Sequence, residues 1–185
     1  LPGSPFTITV NGGVVSAQHS ELSAPMVERK VATSAKGGTT SVSVEEMAGG
    51  EVKAGETVLL RPRLLDAFNN QPKSTESALR AFLVPADGNE REVNVQTISR
   101  GGMAVHEVRH ETSVRGDHVM RVMLLGTELR GSPVKYHVKP DEPDHSMIML
   151  EMPSADEPGY IDQLFTFPIR TRDRFGNFLS KGGVK

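Results

Sequence analysis

Three histidines, His106, His110 and His118, lie close together in the sequence. The segment GGMAVHEVRHE alternates, so in a strand His106 and His110 share a face while Glu107 and Glu111 point to the other. Imidazoles grouped in this way could bind a metal ion or act as a pH switch. Because no acidic side chain is expected on the same face, we expect packed, hydrogen-bonded rings and no metal site. If the rings are buried and neutral, protonation below about pH 6 should destabilise the domain.

The rest of the sequence offers little for catalysis or cofactor binding. There is no cysteine, which excludes disulfides and thiolate metal sites, and neither G-x-S-x-G nor H-E-x-x-H occurs. The acidic segment DEPDHSMIMLEMPSADEPG could supply calcium ligands, but its composition favours a solvated linker. With a net charge of −2 and no apolar run of about 20 residues, neither nucleic acid nor a membrane is an expected partner. We therefore expect no enzyme activity and no cofactor.

Short alternating segments separated by turn residues make up most of the chain. Examples are TTSVSVEEM, STESALRAFLV, REVNVQTI and RGDHVMRVMLLG. Turn signals recur about every ten residues, and no segment has a convincing helical period. This pattern is typical of an antiparallel β-sandwich, so the predicted fold class is all-β.

One ten-residue phrase occurs twice. LPGSPFTITV occupies residues 1–10 and LRGSPVKYHV occupies residues 129–138, so the two copies are 128 positions apart. In each copy Gly and Ser predict a turn, Pro fixes the entry to a strand, and apolar residues follow at a period of two. Repetition of this kind predicts a repeat architecture.

A second phrase also recurs, at a different spacing. LLDAFNN contains Asp66, and RTRDRFGN contains Asp173, which lies 107 positions later. Apolar residues precede each aspartate at a period of two, and they are predicted to face inward. They are Val58, Leu60, Pro62 and Leu64 in the first copy, and Phe165, Phe167, Ile169 and Thr171 in the second. Proline inside a strand suggests an edge or a bulge at residue 62.

The two spacings differ by 21 residues, which predicts an insertion between Val10 and Asp66. The polar, glycine-flanked segment 11–38 is its expected place. It would be a linker or an added helix at Ser20–Lys30, or its MVERKVAT segment would form a strand that covers a sheet edge.

Taken together, the two phrases and their order resemble the filamin-type immunoglobulin-like repeat. Residues at the matching places are Ala54-Gly55, Asp66, Asn69-Asn70, Gly116 and Gly131-Ser132-Pro133. The resemblance implies immunoglobulin-like antiparallel β-sandwich repeats in a tandem array. Residues 1–10 would be the last strand of a preceding repeat, 11–38 a linker or insertion, 39–140 a complete repeat, and 141–185 the first strands of a following repeat.

The chain departs from the family pattern at several positions. His106, His110 and His118 stand where the family usually has inward tyrosines, and Asn69 stands where glycine is usual, although asparagine tolerates a left-handed backbone. These departures suggest a distant relative.

The resemblance also implies a function. Filamin-type repeats act as spacers and as modules to which partner peptides add a strand. On this chain the edge would involve residues 78–84 and 91–98, with Arg91, Val93, Val95 and Ile98 as candidate contacts, although Val93 and Val95 are also expected in the core. We expect a scaffold segment of a large cytoskeletal assembly in the cytoplasm, such as an actin-linked structure or a ciliary axoneme, with other proteins as partners. The alternatives are a gamete-type cell-surface adhesion module and a substrate-recognition repeat attached to an enzyme such as a ubiquitin ligase.

Overall fold

The structure is a computed structural model that describes residues 12–32, 40–72, 79–101, 103–151 and 168–179. The described strands are, in chain order, β1 (Glu21–Leu22), β2 (Met26–Ala32), β3 (Thr40–Glu46), β4 (Glu51–Lys53), β5 (Thr57–Leu60), β6 (Pro62–Arg63), β7 (Leu79–Val84), β8 (Arg91–Val93), β9 (Val95–Arg100), β10 (Met103–Glu111), β11 (Gly116–Leu124), β12 (Thr127–Glu128), β13 (Val134–Lys139), β14 (Met149–Leu150) and β15 (Ile169–Arg170). Among these residues no helix has the length and apolar character needed to cross a membrane.

Two sheets form the sandwich. The first has the strand order β3-β2-β5-β10-β9, with every neighbouring pair antiparallel. The second has the order β4-β13-β11-β7-β8, with β12 paired to β11 and with β4 parallel to β13. The predicted all-β, immunoglobulin-like sandwich is confirmed.

The core lies between the two sheets and is built from the alternation seen in the sequence. On β11 the side chains of His118, Met120, Val122 and Leu124 are all buried, as the period of two predicts. The four inward positions predicted before the first aspartate are likewise buried: Val58, Leu60, Pro62 and Leu64. The strand pairing changes at Pro62. Strand β5, which ends just before it, pairs in the first sheet, whereas β6, which begins with it, pairs with β1.

The segment 91–100 passes from one sheet to the other. Its first part, β8, pairs with β7 in the second sheet, and its second part, β9, pairs with β10 in the first. Asn94 is the single residue between them. The predicted strand therefore exists as two short edge strands, one in each sheet.

The predicted insertion is ordered where the structure describes it, and the helix alternative at residues 20–30 is wrong. Met26–Ala32 is a strand that pairs with both β3 and β5, and Val27 belongs to the core. Pairing with a strand on each of its two sides makes a strand the better solution. The alternative in which this segment covers the edge formed by residues 91–98 is also wrong, because β2 lies on the other side of the first sheet, next to β5.

Local structure recurs at the two spacings found in the sequence. The pairs Glu21–Arg63 and Leu22–Pro62 join β1 to β6. When 128 is added to the residue numbers in β1 and 107 to those in β6, these pairs become Met149–Arg170 and Leu150–Ile169, which join β14 to β15. Segment 13–22 therefore has a counterpart at 141–150, and it is not part of the insertion. The extra 21 residues must lie between Leu22 and Pro62, where the hairpin of β2 and β3 spans residues 26–46.

Several expectations for the second copy need correction. Ile169, predicted to face inward, is exposed, and so are Met147 and Met149. Leu150 is 52% exposed, whereas its counterpart Leu22 packs against the core. The reason is that the described part of the second copy contains no opposing sheet. Three predictions, the strand at residues 1–10 and the inward positions Phe165 and Phe167, lie outside the described residues. The predicted repeat boundaries remain a prediction.

Candidate functional site

The first aspartate phrase forms a tight turn around a buried carboxylate. Asp66 Oδ1 accepts hydrogen bonds from the backbone amides of Phe68 and Asn70, both at 2.8 Å. Its Oδ2 accepts from the amide of Gly13 at 2.8 Å and from Asn70 Nδ2 at 3.2 Å. These donors, led by Gly13, lower the pKa of Asp66 to about 2. Asn69 has a φ of 64°, as its substitution for glycine predicts.

The second aspartate phrase repeats this turn atom by atom. Asp173 Oδ1 accepts from the amides of Phe175 and Asn177, and Oδ2 accepts from the amide of Asp141 at 2.9 Å and from Asn177 Nδ2 at 2.9 Å. Gly176 takes the left-handed position, with a φ of 85°. Burial acts to raise the pKa of Asp173, but the hydrogen bonds outweigh it and the pKa is lowered. Both phrases are therefore the same structural device, in which an aspartate fixes a turn to the strand that enters the repeat.

The second turn packs against the end of the preceding sandwich. Phe175 is partly buried and contacts the core cluster. Gly55, with a φ of 91°, allows this approach: a Cβ at that position would lie 3.0 Å from Phe175 Cζ and 2.6 Å from Arg174 Nη2. A glycine is thus required at this position both by the backbone and by the neighbouring ring.

Polar contacts complete this junction. Asn177 Oδ1 accepts a hydrogen bond from the amide of Arg115 at 2.9 Å, and Asn177 Nδ2 donates to the carbonyl of Ser113 at 2.8 Å. Arg115 Nη1 donates to the carbonyl of Phe178 at 2.8 Å. The second turn is therefore held against the sandwich by a ring, a side-chain amide and a guanidinium.

A groove of about 710 Å³ opens beside the junction. Its walls are mostly charged, with Arg29 and Lys53 from the sandwich on one side and Asp141 and Arg174 on the other. Arg174 also forms an ion pair with Asp141 at 3.2 Å. Since most of its lining residues are charged, the groove lacks the predominantly apolar lining typical of a small-molecule site.

The histidines predicted as a cluster do not all meet. His106 is buried on β10 and its Nδ1 lies 2.9 Å from Thr97 Oγ1. Burial lowers the pKa of His106. Strands β10 and β11 follow each other in sequence but belong to different sheets. His118 therefore approaches His110 across the interior of the sandwich.

His110, His118 and Tyr136 form a stack at one end of the interior. The rings of His110 and His118 are 6.5 Å apart, and His118 stacks on Tyr136 at 5.4 Å. Burial, helped by Arg91 and His118, lowers the pKa of His110 to about 4. Burial also raises the pKa of Tyr136. His118 Nε2 lies 2.8 Å from the carbonyl of Val114. The histidines thus pack as core aromatics. Within the described residues no group of three or more potential ligands is placed to hold a metal ion.

The expected outward direction of Glu107 needs refinement. This carboxylate lies on the outer face of the first sheet, yet its side chain is only 1% exposed. Its oxygens form ion pairs with Arg61 at 2.9 Å, Arg109 at 2.8 Å and Arg100 at 3.4 Å. Burial acts to raise the pKa of Glu107, but the hydrogen bonds from Arg109 and Arg61 outweigh it. The long arginine side chains cover the carboxylate, which alternation alone does not predict.

The predicted docking residues are distributed over the two edge strands. Arg91 and Val93 lie on β8, and Val95 and Ile98 lie on β9. Val93 and Val95 are partly buried and pack against the core. Ile98 is also partly exposed, but it is not among the residues that pack against the core. Both strands are terminal in their sheets among the described residues. Their role in partner binding remains a prediction.

Comparison with known proteins identifies the fold. No protein-family model matches the chain, and no curated protein matches it. Among solved structures, the Escherichia coli adhesin FdeC is 17% identical, with 94% of this chain and 46% of that chain covered, at a TM-score of 0.52. The filamin domain of Lin-41 is 16% identical over 70% of this chain and 98% of that one, at a TM-score of 0.45. Invasin, a bacterial integrin-binding protein, is 13% identical, with 92% of this chain and 29% of that chain covered, at a TM-score of 0.49.

These likenesses concern the fold. The chain spans about half of the FdeC structure, and at this level of identity the similarity supports an immunoglobulin-like repeat and no particular activity. The sandwich of two sheets confirms, at the level of the fold, the prediction of a distant filamin-type, immunoglobulin-like repeat.

Sequence reasoning missed the junction between the repeats. The aspartate phrases were interpreted as turns alone, although each holds a phenylalanine within polar turn residues. A large apolar side chain in such a turn was the available signal.

Proposed function

We propose that this chain is a structural spacer, a segment of a tandem array of immunoglobulin-like repeats whose neighbours are held in a fixed orientation. The observation that carries the proposal is the packed junction, in which Phe175 contacts the sandwich at Gly55 and Asn177 bonds to Ser113 and Arg115. Neighbouring domains move freely unless such contacts oppose the motion.

The short connection between the repeats supports the same proposal. Strand β13 ends at Lys139, and the carbonyl of Lys139 accepts a hydrogen bond from the amide of Ala54 at 2.9 Å. Pro140 follows, which restricts the backbone, and the amide of Asp141 is already bound to the aspartate of the next turn. One residue thus separates two anchored positions, so the connection has little freedom to act as a hinge.

Amide hydrogen exchange tests the proposal. The Arg115 amide donates to Asn177 Oδ1, so Asn177→Ala should accelerate its exchange. Asn70→Ala is the matched control, because Asn70 makes the same contact to its own aspartate without lying at this junction. Fast exchange of Arg115 in the unmodified chain would contradict a packed junction.

Partner docking at the edge strands is a second candidate function. It is favoured by the positions of β8 and β9, each at the edge of its sheet among the described residues, since an edge strand can accept a further strand from a peptide. If β9 docks a cytoskeletal partner, its amides should become protected in a cytoskeletal extract, and Ile98→Asp should remove that protection. Ser99→Asp, a neighbouring exposed position, is the control. Unchanged exchange of β9 in the extract would count against docking.

The cellular setting is also part of the proposal. A spacer of this kind suits a cytoplasmic, cytoskeletal assembly, with an actin-linked or axonemal structure as the particular case. The alternative is an adhesion module, which the likeness to the fold of the adhesin FdeC favours. Protease treatment of intact cells separates the two, because a surface module would be cleaved whereas a cytoplasmic one would be protected.

A further inference from the structure

Phe68 occupies the tip of the first aspartate turn with 83% of its side chain exposed. Its counterpart in the second turn, Phe175, is partly buried against the sandwich that precedes it. We propose that Phe68 and Asn70 form a docking surface for the end of a preceding immunoglobulin-like repeat, and that they bind it as Phe175 and Asn177 bind this one. The inference rests on the proposed spacer function and extends it to the other end of the repeat.

The two turns present their rings in the same way. The amide of Gly13 binds Asp66 Oδ2 at 2.8 Å, and the amide of Asp141 binds Asp173 Oδ2 at 2.9 Å. Isolated bridges join Val15 to Asp66 and Pro143 to Asp173, which places each incoming segment identically against its turn. A sandwich that ends just before Gly13 would therefore lie against Phe68, as the sandwich described above lies against Phe175.

Asn70 has hydrogen-bonding capacity left for such a neighbour. In the second turn Asn177 binds its own aspartate and also accepts from Arg115 and donates to Ser113. Asn70 Nδ2 binds Asp66 in the same manner. Within the described ranges no hydrogen bond reaches Asn70 Oδ1, the atom equivalent to the acceptor that holds the Arg115 amide in the second junction.

The sequence identifies the occupant. Residues 1–10 repeat the phrase at residues 129–138, which contains β13, the last strand of the sandwich. Each phrase lies the same distance ahead of the segment that binds the aspartate, at Gly13 and at Asp141. The occupant is thus the repeat that residues 1–10 would complete.

One contact of the second junction has no counterpart in the first. Arg174 pairs with Asp141, whereas the equivalent positions hold Ala67 and Gly13. The preceding junction would therefore depend mainly on the Phe68 ring and on the Asn70 amide, and substitution of Phe68 should affect it strongly.

Hydroxyl-radical footprinting tests the proposal. The oxidation rates of Phe68 and Phe175 are compared in the 185-residue chain and in the natural chain extended toward its amino terminus through the repeat that residues 1–10 would end. We expect the rate at Phe68 to fall about threefold or more in the extended chain, since burial of an aromatic anchor is what such an interface requires. The rate at Phe175 should stay low in both chains.

The outcomes separate this inference from the spacer function. Equal oxidation of Phe68 in both chains, with Phe175 protected, would overturn the docking surface and leave the spacer function standing. Oxidation of Phe175 as fast as Phe68 in the 185-residue chain would overturn both. An extension that encodes no immunoglobulin-like repeat would also overturn the inference. Phe68→Ala should leave the stability of the 185-residue chain unchanged, because the ring is exposed there.

Discussion

Lowering the pH from 7 to 5 should destabilise the sandwich through His110. The ring is partly buried between β10 and β11, where it faces His118, and burial together with Arg91 and His118 lowers its pKa to about 4. In the unfolded chain the ring titrates near its ordinary value of about 6.5. Because the unfolded state binds the proton first, stability contributed by neutral His110 is complete above about pH 6.5 and is lost as the pH falls toward 4.

The magnitude follows from the two pKa values. A full shift of this size corresponds to at most about 3 kcal/mol, of which about 2 kcal/mol would be expressed between pH 7 and pH 5. Since the ring is only partly buried, solvent screening reduces the expected loss to about 1 kcal/mol. His106, whose pKa is also lowered by burial, adds a loss in the same direction.

Urea unfolding followed by far-UV circular dichroism at pH 7 and pH 5 measures this effect. The unfolding midpoint should fall by about 0.5 M more in the unmodified chain than in His110→Gln, which has no titrating ring. His145→Gln, which removes an exposed histidine, should keep the full pH dependence. Identical losses of stability in the unmodified chain and in His110→Gln would refute the reasoning.

Three further predictions concern the sandwich and its junction. Glu107→Gln should lower the free energy of unfolding by about 2 kcal/mol, because it removes the buried partner of three guanidinium groups; Glu92→Gln, at an exposed ion pair, should change the urea midpoint very little. Val27→Ala should lower the free energy of unfolding by about 2 kcal/mol in the same assay if the inserted hairpin is part of the core. Val42→Ala on β3, where the side chain is 56% exposed, should have no measurable effect. Equal effects of the two substitutions would contradict a core role for the hairpin. Gly55→Ala should cost about 1–2 kcal/mol, because the residue has a φ of 91° and lies against the ring of the following repeat; a thermal melt identical to that of the unmodified chain would contradict the junction.

Much of the fold could be predicted from alternation and from the two repeated phrases. The period of two identified the buried face of β11, and Pro62 correctly marked a break between strand pairings. The two spacings predicted a 21-residue insertion, and the strand pairs that recur at these spacings favour the region of the β2–β3 hairpin for it; the bounds 11–38 remain a prediction. Its place could not be read from composition, because polar residues alternate with valines in this hairpin as they do elsewhere in the sheets.

The junction could not be predicted for a physical reason. Whether Phe68 and Phe175 are exposed or buried depends on what lies beside the turn, and their local sequences are nearly the same. Glu107 shows the same limit, because its burial depends on arginines from β9 and from the residue between β5 and β6, as well as from β10. Local pattern predicts the element and its register, whereas contacts between distant elements decide the site.

The most direct test of the spacer function is backbone ¹⁵N relaxation of the whole chain in solution. If the junction is packed, the amides of residues 169–179 should show the same heteronuclear NOE values and the same rotational correlation time as those of β11 and β13. Reduced NOE values across residues 169–179, with rigid values in the sandwich, would mean that this segment moves independently and would contradict the account.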